Sequence, residues 1–280
     1  MWRVFSPGPT PMKHCLPYPY PQTVPACGRA SGSAGARACR ASAWVALVLC
    51  LVCSWSSRAG AIGPVTPGVE YGRLLAEYAG PGGIDYGRLH ASLRGRQRLA
   101  KLVASLERMA DDAPLADWLN AYNLIVIKAV IDHYPMASVK EVPGFFDGLK
   151  FQVAGKQRSL DDIENRVIRP RFQDARIHFA LNCAARSCPV LAKRPFRQAR
   201  LDATLDRLVR SALRSPQHLR RVGDQLQVSA LFFWFAKDFQ RDAGSVMAWI
   251  ARHAPAKSLQ GLPAQVALEQ IDYDWALAQR

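Results

Sequence analysis

The chain has 280 residues, which is enough for one large domain or two small ones. Its formal net charge is +15, and a protein surface with an excess of positive charge attracts anions in general. The sequence lacks helix-turn-helix patterns, zinc-finger spacing and basic patches with interleaved aromatic residues, so no specific nucleic-acid partner is predicted. We expect only a weak attraction to anionic cell-envelope surfaces.

The N-terminal part differs in composition from the rest. Residues 1–35 are rich in Pro, Gly and Ser and are predicted to be a disordered or untranslated leader. Residues 36–61 have the pattern of a signal peptide, in which two arginines and a short apolar run precede small residues that end at Ala61. The apolar run is shorter than a membrane span requires. We therefore expect a mature chain that starts at Ile62 and is periplasmic or secreted.

The remaining sequence predicts a short lead-in segment, 62–84, and one globular domain, 85–280. The first half is predicted to contain helices over 71–78, 96–109 and 115–133, a further helix that begins at Asp85, and a hairpin within 151–158. A helix after the cap Ser159 and a strand over 176–181 follow. The last part is predicted to contain helices over 201–213, 230–239 and 242–253 and strands over 226–228 and 269–273. Helices and short strands are mixed without a regular βαβ order, so the fold class is predicted to be α+β.

The helix over 115–133 is apolar on nearly every face, which predicts that it lies in the middle of the domain. Asn120 and Asn123 are three positions apart and therefore share a face of this helix. A buried carboxamide needs hydrogen-bond partners, so both residues are predicted to tie the helix to another part of the chain.

Five of the seven cysteines lie before Ile62, which excludes a disulfide-rich domain. The other two, Cys183 and Cys188, occur in the segment 176–191. This segment also contains His178, Asn182 and Ser187, which can act as base, hydrogen-bond donor or metal ligand. This segment is the candidate reactive site.

One hypothesis is a thiol nucleophile at Cys183, since a turn or helix start after a strand offers oriented N–H groups that lower the pKa of a thiol. His178 would be the base, and Glu164 or Asn120 would orient it. Asn182 or main-chain N–H groups would stabilise an oxyanion. In a straight strand His178 and Cys183 would point to opposite faces, so the pair requires a turn before Cys183.

Two alternatives use the same residues. Cys183 and Cys188 can form a structural disulfide, which an oxidising compartment would favour. His178, Cys183 and Cys188 can also be considered as metal ligands, but the paired close ligands that are typical of zinc sites are absent. We therefore predict no metal and no cofactor.

Several motifs occur in a fixed order: WLNAYN (118–123), SLDDIEN (159–165), RIHFALNCAARSCP (176–189), VSALFFWFAKDF (228–239) and IDYDWAL (271–277). Together they resemble the bacterial exported members of the domain of unknown function 547 family, over about residues 115–278. The resemblance implies a mixed helix–sheet domain with a likeness to papain-like thiol hydrolases. In plant relatives the position of Cys188 need not be cysteine while Cys183 matches, which makes Cys183 the more interesting thiol and weakens any scheme that requires both cysteines.

The sequence thus predicts a cysteine-dependent hydrolase or acyl transferase that acts on an amide or peptide-like substrate. The alternative is a non-catalytic binding or scaffold domain with a Cys183–Cys188 disulfide. The substrate and the oligomeric state are not predicted.

Overall fold

The computed structural model describes residues 67–263 and 265–279. The predicted leader, the signal peptide and its cleavage site lie outside these residues. Among the helices of this described part, none is both long enough and apolar enough to cross a membrane.

Helices make up most of the domain, and local capping signals set several of their ends. The helices are α1 (Pro67–Tyr78), α2 (Tyr86–Ala91), α3 (Leu93–Ser105), α4 (Leu115–His133), α5 (Arg169–Phe172), α6 (Leu201–Ala212), α7 (Leu231–Trp234), α8 (Ala236–Ala243), α9 (Val246–His253) and α10 (Ala256–Leu259). The Asp85 carboxylate accepts the N–H of Arg88 at the start of α2, and the Ser92 hydroxyl accepts that of Gly95 at the start of α3. The predicted cap at Asp85 is confirmed.

The strands are short and form three small sheets. They are β1 (Ala79–Gly80), β2 (Gly83–Ile84), β3 (Phe151–Val153), β4 (Lys156–Arg158), β5 (Leu219–Val222), β6 (Gln225–Ser229) and β7 (Leu268–Ile271). Strands β1–β2 and β3–β4 form antiparallel pairs. In the third sheet, β6 pairs antiparallel with β5 and parallel with β7. This mixture confirms the α+β class; the papain-like architecture that the resemblance implies is not confirmed.

The long helix α4 occupies the centre of the larger of two hydrophobic clusters, as its sequence predicted. The buried residues of α1, which belongs to the predicted lead-in segment, pack in the same cluster. The smaller cluster is built from β5, β6 and the helices α6 to α9, around the stacked rings of Phe179 and Trp249.

The predicted strand over 176–181 is wrong. Residues Ala175–Phe179 form a 3₁₀-helix, which begins where the Asp174 carboxylate accepts the N–H of Arg176. Ile177 packs in the larger cluster and Phe179 in the smaller one, so the segment is buried on several sides. A short apolar run of this kind has no periodicity that separates a buried strand from a buried helical turn.

Candidate active site

His178 lies inside the protein in the short helix between the two hydrophobic clusters, and 2% of its surface is exposed. Its Nε2 is 2.8 Å from Oδ2 of Asp238, a residue of α8. The same oxygen accepts a hydrogen bond from Nε of Arg169 at 2.7 Å. The ring of Phe235 stacks on the imidazole with 3.8 Å between the ring centres. The imidazole is therefore fixed in position by a charged pair and by an aromatic ring.

Glu164 faces the other nitrogen of this imidazole. It lies in a π-helical segment, Asp162–Ile168, and π-helical turns occur frequently at functional sites. Its Oε1 is 3.7 Å from Nδ1 of His178, a distance too long for a hydrogen bond. The hydroxyl of Tyr122, on α4, hydrogen-bonds the Glu164 carboxyl group. We call Glu164, His178, Asp238 and Arg169 the buried ionic cluster.

Burial and partner charges shift the pKa values of this cluster in different directions. Burial raises the pKa of Glu164 to about 7, and Arg169 and Tyr122 only partly oppose this effect. Burial lowers the pKa of His178, although the hydrogen bond with Asp238 opposes the change. Burial would raise the pKa of Asp238, but the hydrogen bonds from His178 and Arg169 outweigh it and hold the pKa well below its usual value. At neutral pH the cluster thus contains a neutral imidazole beside an ionised Asp238, to which Nε2–H donates.

We expect the substitution Glu164→Gln to change how stability depends on pH. Glu164 binds its proton more tightly in the folded protein (pKa about 7) than in the unfolded chain (near 4.5), so its contribution to stability decreases as the pH rises through this interval. The free energy of unfolding of the variant, relative to wild type, should therefore increase by about 3 kcal/mol from pH 4.5 to 7.5.

Urea unfolding at several pH values measures this difference, and subtracting the wild-type curve removes the contributions of other titrating groups. Glu107→Gln is a suitable control because Glu107 is exposed. A difference for Glu164→Gln that is independent of pH would contradict the raised pKa.

Residues 182–189, here called the cysteine loop, are held in place by α4. Nδ2 of Asn123 donates to the carbonyl oxygen of Ala180 at 2.9 Å, and its Oδ1 accepts the N–H of Asn182 at 2.8 Å. The predicted tie between this helix face and another part of the chain is thus present at Asn123. Ala184 adopts a left-handed conformation, φ 64°, which is unfavourable for a residue with a Cβ and marks a sharp turn directly after Cys183.

The Asn182 side chain closes the cysteine loop. Its Nδ2 donates to the carbonyl oxygen of Pro189 at 2.8 Å, and its Oδ1 accepts the N–H of Ala184 at 3.0 Å. These bonds hold both ends of the loop together without a covalent link. The candidate oxyanion donor Asn182 is thus engaged in shaping the loop.

The C-terminal segment, residues 272–279, lies along the cysteine loop. The N–H of Arg186 donates to the carbonyl oxygen of Ala276 at 2.8 Å, and the N–H of Ser187 donates to that of Asp274 at 3.1 Å. A further bond joins Ala278 N–H to the Ala184 carbonyl oxygen at 2.7 Å. These main-chain bonds bring the side chain of Tyr273 to the loop.

Cys183 and Cys188 are both free thiols, Cys183 partly exposed and Cys188 buried. Sγ of Cys183 lies 3.0 Å from the hydroxyl oxygen of Tyr273. The N–H of Cys183 donates to Sγ of Cys188 at 2.8 Å, and the two thiols hydrogen-bond each other. The N–H of Ala185 also contacts the sulfur of Cys183. Several donors therefore surround the Cys183 sulfur.

These contacts separate the pKa values of the three groups. Burial would raise the pKa of Cys183, but hydrogen bonds from Cys188, Tyr273 and main-chain N–H groups outweigh it, so the pKa of Cys183 is lowered. Burial, followed by the neighbouring Cys183, raises the pKa of Cys188 well above its usual value. Burial and the two cysteines likewise raise the pKa of Tyr273. A negative charge in this group therefore resides on Cys183, with Cys188 and Tyr273 protonated.

Apolar surface adjoins this sulfur. The ring of Tyr273 lies 4.7 Å from that of Trp234 and 4.6 Å from that of Trp275, measured between ring centres, and all three side chains are partly exposed. On the side of Cys188, a cavity of about 330 Å³ borders the loop; its lining includes Asn182 and Arg186. Aromatic surface and a cavity thus border the cysteine loop.

The structure brings some of the predicted site residues together and separates others. Glu164 and His178 are neighbours in the buried ionic cluster, whereas in the described part of the chain no hydrogen bond joins His178 to Cys183. Asn120 is engaged elsewhere, because its carboxamide hydrogen-bonds the N–H and the carbonyl oxygen of Phe196 at 2.8 and 2.9 Å. Within the described residues, no group of three or more His, Cys, Asp or Glu side chains is arranged to hold a metal ion.

Sequence reasoning did not select Asp238 and Tyr273 as site residues. Both lie within motifs that carried the resemblance, VSALFFWFAKDF and IDYDWAL, but neither motif shows which distant residue it would contact. The available signal was the acid among the aromatic residues of the first motif, because an Asp is almost never fully buried unless it is paired.

A comparison with protein families matches residues 106–211 to the family described as "Protein of unknown function, DUF547". This part of the chain belongs to the DUF547 family. No curated protein and no solved structure matches the chain. The DUF547 match includes Glu164, His178 and both cysteines of the loop, whereas Asp238 and Tyr273 lie beyond its end.

Proposed function

We propose that this DUF547 protein carries out thiol-dependent acyl transfer or hydrolysis on an amide or peptide-like substrate, with Cys183 as the nucleophile. The observation that carries the proposal is the 3.0 Å contact between Sγ of Cys183, a partly exposed residue, and the Tyr273 hydroxyl. A phenol, a second thiol and main-chain N–H groups converge on one sulfur, which is the environment that stabilises a thiolate.

The distribution of protons defines the first chemical step. Because Cys183 has the lowered pKa and Tyr273 and Cys188 have raised ones, the thiolate forms without a separate base. Its sulfur attacks the substrate carbonyl carbon and forms a C–S bond, and the carbonyl oxygen becomes an oxyanion.

The second step breaks the C–N bond of the substrate. Once the sulfur has lost its negative charge to the new C–S bond, the carbonyl re-forms, the C–N bond breaks and the leaving nitrogen takes a proton from the adjacent Tyr273 hydroxyl. Water or an acceptor amine then attacks the acyl thioester and returns a proton to the Tyr273 oxygen, the C–S bond breaks and the thiolate is restored. The aromatic surface of Trp234, Tyr273 and Trp275 supplies contact area for an apolar acyl group.

In this proposal the buried ionic cluster positions the cysteine loop. His178 is buried, its Nε2 contacts Asp238 and its Nδ1 faces Glu164, so the imidazole is held by the cluster. The 3₁₀-helix that contains His178 leads directly to Ala180, whose carbonyl oxygen is bound by Asn123. Fixing His178 therefore fixes the start of the loop.

The alternative function is a non-catalytic binding or scaffold domain in which Cys183 and Cys188 form a structural disulfide. The direct contact between the two thiols supports it. The two functions differ in one respect: only the first requires a Cys183 thiol that reacts with an acyl donor.

An acyl-trapping experiment tests the proposal. We expect the reduced protein, mixed with p-nitrophenyl acetate at pH 7, to release a burst of p-nitrophenol stoichiometric with the enzyme and to retain an acetyl group on Cys183 by peptide mass spectrometry. Cys183→Ala should abolish both the burst and the adduct. Retention of the burst in this variant, or acetylation elsewhere without Cys183, would reject Cys183 as the nucleophile.

We also propose, from the leader pattern, that the mature protein is exported. N-terminal sequencing of the chain recovered outside the cytoplasm would then begin at Ile62; recovery of the chain only from the cytoplasm with its leader intact would reject this.

A further inference from the structure

The two thiols of the cysteine loop are in contact but differ in accessibility. Cys183 is partly exposed, whereas Cys188 is buried with 6% of its surface exposed. Their side chains hydrogen-bond each other, and the N–H of Cys183 lies 2.8 Å from Sγ of Cys188. Two thiols that are direct neighbours can be joined by a disulfide, which requires an S–S distance of about 2 Å.

The loop is closed without a disulfide. The Asn182 carboxamide bonds both Pro189 and Ala184, and the N–H of Cys188 donates to the carbonyl oxygen of Ala185 at 3.0 Å. Three further main-chain bonds fasten the loop to the C-terminal segment. Since these bonds hold the reduced loop, a disulfide is not needed to close it.

We infer that Cys183 and Cys188 form a reversible dithiol–disulfide pair, in which a small hydroperoxide oxidises Cys183 and Cys188 closes the disulfide. The inference rests on the proposed function, because the sulfur that is oxidised is the proposed nucleophile. Closing the disulfide removes that nucleophile, and reduction restores it.

The first step is a two-electron oxidation. The thiolate of Cys183 attacks one peroxide oxygen, the O–O bond breaks, and Cys183 becomes a sulfenic acid while an alcohol or water leaves with a proton from solvent. In the second step the Cys188 sulfur attacks the Cys183 sulfur, so an S–S bond forms and the S–O bond breaks. The Cys188 proton leaves with the hydroxyl group as water. A dithiol reductant supplies the two electrons and two protons that convert the disulfide back to two thiols.

The two environments match the two roles. The attacking sulfur must be accessible and ionised, as the donors around Cys183 favour, whereas the resolving thiol can stay buried and protonated until the sulfenic acid has formed. Tyr273 and the left-handed turn at Ala184 border the sulfur of Cys183 and limit the size of a molecule that can reach it. A peroxide is small enough to meet this limit.

Mass spectrometry of the full chain tests the inference with hydrogen peroxide as the probe. Arg186 lies between the two cysteines, so trypsin separates them and a disulfide appears as a linked peptide pair. We expect one equivalent of peroxide at pH 7 to produce this linked pair and a complete loss of Cys183 alkylation, both reversed by dithiothreitol.

The variant Cys188→Ser should stop at the sulfenic acid on Cys183, which dimedone traps, whereas wild type should give little dimedone adduct. Sulfinic or sulfonic acid on wild-type Cys183 without the linked peptide pair would overturn the inference. This measurement uses the wild-type protein alone. Acetylation of reduced Cys183 together with those higher oxides would overturn the redox pair and leave the proposed function standing. Disulfide formation without acetylation would overturn the proposed function alone.

Discussion

Replacing Asp238 by alanine is expected to destabilise the protein by about 3–5 kcal/mol, because it leaves the buried His178 imidazole and the partly buried Arg169 guanidinium without their partner. The Asp238 carboxylate accepts hydrogen bonds from Arg169 at 2.7 Å and from Nε2 of His178 at 2.8 Å, and its other oxygen lies 3.3 Å from Nη1 of Arg241. Its side chain is only 10% exposed, so water cannot replace these interactions in full.

The measurement is urea unfolding of wild type and variant at pH 7, with the same probe and equal m-values. Asp224→Ala is the matched control, since Asp224 is 83% exposed and its ion pair with Arg221 has a 3.5 Å separation. We expect the control to change the free energy of unfolding by less than about 1 kcal/mol. Similar small losses for both variants would show that the buried ionic cluster does not stabilise the fold.

Replacing Tyr273 by phenylalanine is expected to raise the pKa of the Cys183 thiol. The substitution removes the hydroxyl 3.0 Å from the sulfur and keeps the ring that packs against Trp234 and Trp275. A hydrogen bond to a charged group contributes about 1.5–3 kcal/mol, which corresponds to roughly 1–2 pKa units. The pH at which Cys183 alkylation is half-maximal should therefore rise by about 1–2 units.

The rate of iodoacetamide labelling at Cys183, followed from pH 5 to 10, measures this change. Tyr134→Phe is the control, because the Tyr134 ring packs against His90 at the end of α2, apart from the cysteine loop. An unchanged profile for Tyr273→Phe in a protein with a native circular dichroism spectrum would show that the hydroxyl does not stabilise the thiolate.

Elements with strong local signals could be predicted from the sequence. Helix α4 has the predicted bounds Leu115–His133, because apolar residues occupy nearly every face of the segment between Pro114 and the Tyr134–Pro135 sequence. The hairpin β3–β4 was also predicted, from the turn residues between two short runs. The buried 3₁₀-helix over 175–179 was not, since its residue types suit a strand equally well.

The candidate site was predicted only in part, because some of its residues are close together in the chain and others are far apart. The cysteine loop and His178 are close together in the chain, so their clustering was visible in the sequence. Asp238 follows His178 by 60 positions, and Tyr273 follows Cys183 by 90. These contacts depend on how α8 and the C-terminal segment pack. The periodicity and spacing of residues in one sequence do not show which distant residues come into contact.

The pH dependence of Cys183 alkylation in the reduced full chain, with each cysteine located by peptide mass spectrometry, tests the thiolate directly. We expect Cys183 to label faster than Cys188, with a half-maximal rate below the value of about 8.5 that is usual for a free cysteine. A half-maximal rate at or above that value would contradict a thiolate at Cys183 and, with it, the proposed function.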